Sequence, residues 1–156
     1  MQIPADVVAS QQASIEIDAT PEQIYDLVSD VTRMGEWSLE STGAEWVDGG
    51  TGRTGDWFEG HNKSGEREWT RACQVARAEP GCDFTFVVGG VDDNCTWWSY
   101  EMEPAASGTR LTERWWFVNK TPAMQAATDE QIAARSAFTQ TMLQDTLAGI
   151  KAAAES

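Results

Sequence analysis

The chain has 156 residues and a formal net charge of −14, from 25 Asp+Glu against 11 Lys+Arg. This length suits one domain with its own core. The charge excludes a generic binder of phosphate backbones, which needs a basic surface, and disfavours docking on an anionic membrane. Eight Trp stand out, because Trp is bulky and its indole N–H wants a partner when buried.

Met1 to Ala13 lacks a basic start followed by an apolar run, so no secretory leader is expected. No stretch approaches the roughly 18 apolar residues of a membrane helix. Cys73, Cys82 and Cys95 are odd in number and show no C-x-x-C spacing. That argues against a disulfide framework or a zinc site, and for reduced thiols in a cytoplasmic protein. His61 is the single histidine, which argues against a His-rich metal site and most His-dependent triads; no cofactor is expected.

Residues 1–12 are polar and read as a frayed terminus, with 13–156 as a single domain. Ala13 to Asp18 alternates strictly, which predicts a half-buried strand with Ile15 and Ile17 inward. Thr20-Pro21-Glu22-Gln23 has the form of a capping box with Pro at the first helical position. A short helix follows, with Ile24, Leu27 and Val28 on one face. Asp30 caps a second short helix that stops near Gly35, before Trp37.

From Thr42 to Val118 the period changes to two. Turn clusters at 48–50, 62–65, 79–81, 89–94 and 106–108 divide this stretch into six strands of an antiparallel meander. Thr121-Pro122 closes the last strand. From about Thr128 to Ala154 a helix is predicted, with Ile132, Phe138, Met142, Leu143, Leu147 and Ile150 on one stripe.

The turn centres give a trial register. A turn at Ala106–Ser107 sets Trp98 opposite Trp115, Tyr100 opposite Glu113, and Met102 opposite Leu111, with Trp97 and Trp116 paired on the other face. A turn at Pro80–Gly81 pairs Val75 with Phe86 and Cys73 with Val88. A turn at Lys63–Ser64 pairs Phe58 with Trp69 and Asp56 with Arg71. One consistent face then carries Phe58, Trp69, Val75, Phe84, Phe86, Trp98, Tyr100, Leu111, Trp115 and Phe117, and is assigned to the interior. Asn62, Asp56, Arg71 and Glu113 fall on it too. Either these polar groups are satisfied pairs near a sheet edge, or they line a semi-polar cavity. Trp46 and Trp57 have no assigned place.

This order of elements resembles the START-like, helix-grip superfamily. Within it, the chain is similar to the bacterial SRPBCC proteins of the polyketide cyclase/dehydrase-like kind. The likeness rests on Ile15-Glu16-Ile17-Asp18-Ala19-Thr20-Pro21-Glu22-Gln23-Ile24-Tyr25-Asp26-Leu27-Val28-Ser29-Asp30, on Met34 to Ser38, and on Phe58-Glu59-Gly60-His61-Asn62. It continues through Trp98 to Pro104, Gly108 to Glu113, and Thr146 to Ala152. It implies an α+β helix-grip fold: a seven-stranded curved antiparallel sheet wrapped around a long C-terminal helix, with two short helices after the first strand. It implies an internal pocket between sheet and helix, and no particular reaction. Trp37, Phe58, Asn62 and Trp69 match positions where the subgroup shows similar residues. His61 departs from the pattern and by alternation points outward.

Three readings of function follow. The first is a binding module for a small hydrophobic or aromatic molecule, such as a polyketide, lipid or related metabolite. Its walls are Trp37, Phe58, Asn62, Trp69, Phe84, Phe86, Trp98 and Trp115, with Phe138 and Met142 from the helix. The second is a cyclase, aromatase or dehydratase on a carbonyl-rich substrate, with Glu113 as base and Tyr100 or Arg71 as donor to the enolate. The third is a homodimer or other partner complex through an exposed Trp97–Trp116 patch. No nucleic acid and no membrane insertion enter any of the three.

Overall fold

The computed structural model describes residues 7–119 and 125–156. Strand β1 spans Ala9–Ile17 and is followed by helix α1, Pro21–Val28. The capping box forms as its residues dictate: Thr20 Oγ1 accepts the Gln23 N–H at 3.2 Å, and Gln23 Oε1 accepts the Thr20 N–H at 2.9 Å. A 3-10 helix, Val31–Glu36, comes next, with the Asp30 carboxylate accepting the Thr32 N–H and Trp37 at its C-terminal end.

Six strands follow: β2 Ser41–Trp46, β3 Trp57–Ser64, β4 Arg67–Glu79, β5 Asp83–Val88, β6 Thr96–Ala105 and β7 Gly108–Phe117. Helix α2 runs Asp129–Glu155 behind a second capping box, Thr128 with Gln131. All seven strands form one antiparallel sheet in the order β1-β7-β6-β5-β4-β3-β2. The element order is the one that the sequence pattern predicts, and the arrangement is the α+β helix-grip fold that the resemblance implies.

The position of α2 decides where space is left. At 27 residues it is about 40 Å long, and it lies chiefly on β1, touching β7 and α1 less. Polar contacts hold it there along its length. Gln11 Nε2 donates to Ser136 Oγ at 2.9 Å, Lys151 Nζ to the Glu16 carbonyl at 2.9 Å, and the Asp18 N–H to Glu155 Oε2 at 2.9 Å. Leu143, Leu147 and Ile150 are buried beneath it. Part of the inner face of β3 to β7 is left facing open volume, while Phe84 and Met102 are covered in the core.

Two hairpin registers match the trial pairing: Trp98 faces Trp115 and Tyr100 faces Glu113, while Val75 faces Phe86 and Cys73 faces Val88. The third does not. Ser64 pairs with Arg67, so β3 and β4 turn at Gly65–Glu66, and Phe58 faces Cys73 rather than Trp69. Gly65, at φ +62°, stands first in this two-residue turn, where a positive φ is needed. The correction moves the turn by an even number of positions in the pairing sum, so the inner face keeps its residues. Arg71 therefore faces Gly60, not Asp56. Asp56 instead accepts the N–H groups of Thr51, Gly52 and Arg53, which holds its carboxyl below the ordinary range.

Other differences concern the terminus and the outer face. Residues 9–12, expected to be frayed, are paired with Phe117 to Arg114 of β7, so β1 starts at Ala9; residues 1–6 of that stretch lie outside those described. Thr121-Pro122 also lies outside the described residues. Trp97 and Trp116 pair on the outer face as predicted, but Trp116 is only 5% exposed. Trp97 is half-buried, with its indole N–H donating to Asn94 Oδ1. They do not form a bare patch. Trp46 packs edge-on against Phe58 at 5.5 Å, and Trp57 lies partly exposed beside Gly90.

Gly149 lets α2 seat against Trp37. A Cβ there would lie 2.7 Å from the Trp37 Cβ and 3.1 Å from its Cα. Alanine normally favours a helix interior over glycine by about 1 kcal/mol. Here the clash should outweigh that gain, so Gly149→Ala should lower stability by about 1–3 kcal/mol in urea unfolding. An increase in stability would show that Trp37 yields freely.

Candidate functional site

Between the sheet and α2 lies a cavity of about 1010 Å3, at the upper end of the range for small-molecule sites. Aromatic rings supply the largest side chains of its walls. Trp98 and Trp115 stand opposite each other across β6 and β7, with ring centres 6.4 Å apart. Trp115 meets Phe117 edge-on at 6.2 Å, and Phe58 meets Phe86 edge-on at 5.2 Å. Helix α2 contributes Ile132, Phe138, Met142, Leu143 and Thr146. Period two explains the sheet side: each strand of the antiparallel sheet offers alternate residues to one face, and the registers align those faces.

Trp37, Phe58, Asn62, Trp69, Arg71, Phe86, Trp98, Tyr100, Glu113, Trp115, Phe138 and Met142 all border this cavity. Phe84, grouped with them from the sequence, does not. It is fully buried, with its ring edge-on to Tyr25 at 6.2 Å, and fills the core where α1 closes the sheet. His61 is on the outer face, its ring nitrogens near Thr70 Oγ1 and Glu45 Oε1.

Other cavity residues were not anticipated. Glu40 and Arg135 form an ion pair at 2.7 Å that joins the segment before β2 to helix α2. No sequence signal connects residues so far apart along the chain. Arg67 was missed despite an available signal, since alternation from Trp69 and Arg71 places it on the inner face of β4. Its guanidinium lies 4.9 Å over the Trp69 ring.

Glu113 has the most unusual setting. Its residue is 3% exposed, and burial pushes its pKa up to about 8, against a smaller lowering by its hydrogen bond with Tyr100. Oε1 of this carboxyl has no hydrogen-bond partner among the described residues. Burial, and then the neighbouring Glu113, push the Tyr100 hydroxyl well above its ordinary pKa. Cys73, also on the cavity wall, is raised to about 12 by burial, so its thiol is a poor nucleophile.

The register separates Arg71 from Glu113. Along the inner face, the rungs run from Arg71 to Cys73–Val88–Thr96–Phe117, then Val75–Phe86–Trp98–Trp115, then Ala78–Phe84–Tyr100–Glu113. Tyr100 is thus beside Glu113, whereas Arg71 serves the other end of the cavity. Strand β5 ends opposite Cys73, so the Arg71 end of the β3–β4 hairpin overhangs the sheet.

The chain matches the family described as polyketide cyclase / dehydrase and lipid transport over residues 8–155, and belongs to it. It is 35% identical to a polyketide-cyclase-like protein of Corynebacterium glutamicum, over 91% of this chain and 88% of that one, with a TM-score of 0.65. The di-domain ARO/CYC StfQ from the steffimycin biosynthetic pathway shares the fold, with a TM-score of 0.73 at 14% identity. That match covers 96% of this chain and 51% of StfQ. A protein of Chromobacterium violaceum shares the fold as well, with a TM-score of 0.68 at 12% identity, over 95% of this chain and 99% of that one. No protein of curated function matches in sequence. Among the described residues, no helix is long and apolar enough to cross a membrane.

Glu113 predicts a pH dependence of stability. Its folded-state pKa is raised to about 8 from an ordinary 4.5, so folding favours the protonated form. Its contribution is fully present below about 4.5 and is lost as pH rises through about 8. Urea unfolding of Glu113→Gln should therefore show a variant that gains on the wild type between pH 5 and 8.5. A constant difference across that window would mean that Glu113 is not held protonated.

Proposed function

We propose that the protein binds a small apolar or aromatic molecule, of polyketide, lipid or related kind, in the cavity between the sheet and α2. The observation that carries this reading is the cavity itself: about 1010 Å3, with Trp37, Phe58, Trp69, Phe86, Trp98 and Trp115 on its wall and polar groups such as Asn62, Arg71, Tyr100 and Glu113 between them. Flat rings stack on such walls, and indole N–H groups offer hydrogen bonds without closing the space. Membership of a family that includes lipid transport supports the same reading.

Titration with polycyclic phenols, long-chain alcohols and long-chain acids should quench or shift the tryptophan fluorescence. Trp98→Ala should weaken binding by about tenfold, as loss of a central aromatic wall does. Silence across the whole panel, from protein shown to be folded, would overturn the reading.

A second reading is favoured by one observation, the buried Glu113 with one oxygen near Tyr100 and the other unpartnered at the cavity wall. In a cyclase or dehydratase, an ionised Glu113 removes an acidic C–H proton, and the Tyr100 hydroxyl donates a hydrogen bond to the enolate oxygen. Because the base must be deprotonated, turnover should rise with pH through about 8. Glu113→Gln should then abolish turnover while leaving binding in place. Retained turnover would remove Glu113 from that role.

A further inference from the structure

The charges around the cavity do not follow the charge of the chain. With 25 Asp and Glu against 11 Lys and Arg, a cation without an acidic partner is the exception. Arg33, Arg77, Arg110, Arg114, Arg135 and Lys151 all lie in ion pairs. Lys120 is outside the described residues. Arg53 sits by Asp56 and helps to hold that carboxyl ionised, and Lys63 faces Glu68 across the β3–β4 ladder. Arg67 and Arg71 remain. Both are on β4 and both border the cavity, Arg67 at its exposed edge and Arg71 half-buried, and neither is in any ion pair among the described residues.

The acidic groups of the cavity do not offset them. Glu40 is taken by Arg135 at 2.7 Å. Glu113 lies three rungs further along the inner face, and its carboxyl is neutral below about pH 8. The overhanging end of the cavity is therefore positive, inside a chain of net charge −14. Arg67 lies over the Trp69 ring, which orders its guanidinium without neutralising it. Arg71 is half-buried beside Trp69 and Cys73 on the same strand. A guanidinium partly withdrawn from water gains most from an anion that meets its planar fork.

The polarity also has a direction. Arg67 and Arg71 stand at the overhang, while Trp98, Trp115 and the neutral Glu113 lie further along the sheet. We propose that the ligand is an amphiphile with a single anionic headgroup, held by Arg71 and Arg67, with its apolar body laid along Trp69, Trp98 and Trp115. This rests on the ligand-binding reading and adds the charge class and orientation of the ligand.

Three probes of equal chain length test it: decanoate, 1-decanol and decylammonium, each below its micelle concentration, titrated calorimetrically against the full chain at pH 7. Decanoate should bind about tenfold or more tightly than 1-decanol, as one charge-assisted contact allows. Arg71→Gln should remove most of that preference, by weakening decanoate far more than 1-decanol. Arg71→Lys, which keeps the charge, should retain part of it. Equal binding of decanoate and 1-decanol, tighter binding of decylammonium, or a preference that survives in the Arg67→Gln, Arg71→Gln double variant would overturn the proposal while leaving cavity binding intact. If none of the three binds, the proposal falls, and the wider panel of phenols, alcohols and acids decides whether cavity binding falls with it.

Discussion

The fastening of one long helix to one strand shapes everything else in this molecule. α2 is tied to β1 by Gln11–Ser136 near one end and by Lys151–Glu16 and Glu155–Asp18 near the other. The C-terminal part of its apolar stripe, Leu147 and Ile150, is spent in the core, while Ile132, Phe138, Met142 and Leu143 face the cavity. A single helix cannot also cover the concave face of seven twisted strands. The uncovered part becomes a cavity instead of a core, and Gly149 fixes how closely the helix approaches Trp37 at its rim.

Aromatic composition follows from that geometry. A wall that must stay open cannot rely on small side chains that collapse inward. Large rigid rings keep their positions because they brace one another. Phe58 meets both Trp46 and Phe86, and Trp115 meets both Trp98 and Phe117. The cavity accounts for half of the eight Trp, namely Trp37, Trp69, Trp98 and Trp115; Trp46 braces Phe58, Trp57 lies partly exposed, and Trp97 and Trp116 pair on the convex side.

The polar groups are divided between the two ends of the space. At the closed end, burial holds Glu113 neutral beside Tyr100. At the overhang, Arg67 and Arg71 keep their charges without carboxylate partners among the described residues. Solvent handles the rest of the charge, since most of the excess Asp and Glu lie on exposed positions where carboxylates stay hydrated. An acidic shell and a positive cavity end coexist because dissolved salt screens the first over about 10 Å at 0.1 M ionic strength, while the second acts at contact.

Much of this was legible in the sequence. The Thr20–Gln23 capping box, the period-two strands and the long C-terminal helix are local patterns, and each formed close to where its residues predict; the second box, Thr128 with Gln131, was equally local but was not singled out. The inner face was also legible, because alternation preserves parity: the β3–β4 turn was misplaced, yet Phe58, Trp69 and Arg71 remained on the same side. Non-local facts were not legible. The pairing of Ala9 to Gln12 with β7 depends on the length of the partner strand. The Glu40–Arg135 pair, the burial of Phe84 behind the cavity and the distance of Arg71 from Glu113 depend on how the sheet curves and where the helix rests. Backbone propensity and side-chain periodicity act within a few residues, so the sequence by itself determined the elements and their faces. Only the tertiary structure decided what stands across the cavity from what, because that is set by contacts between residues far apart in the chain.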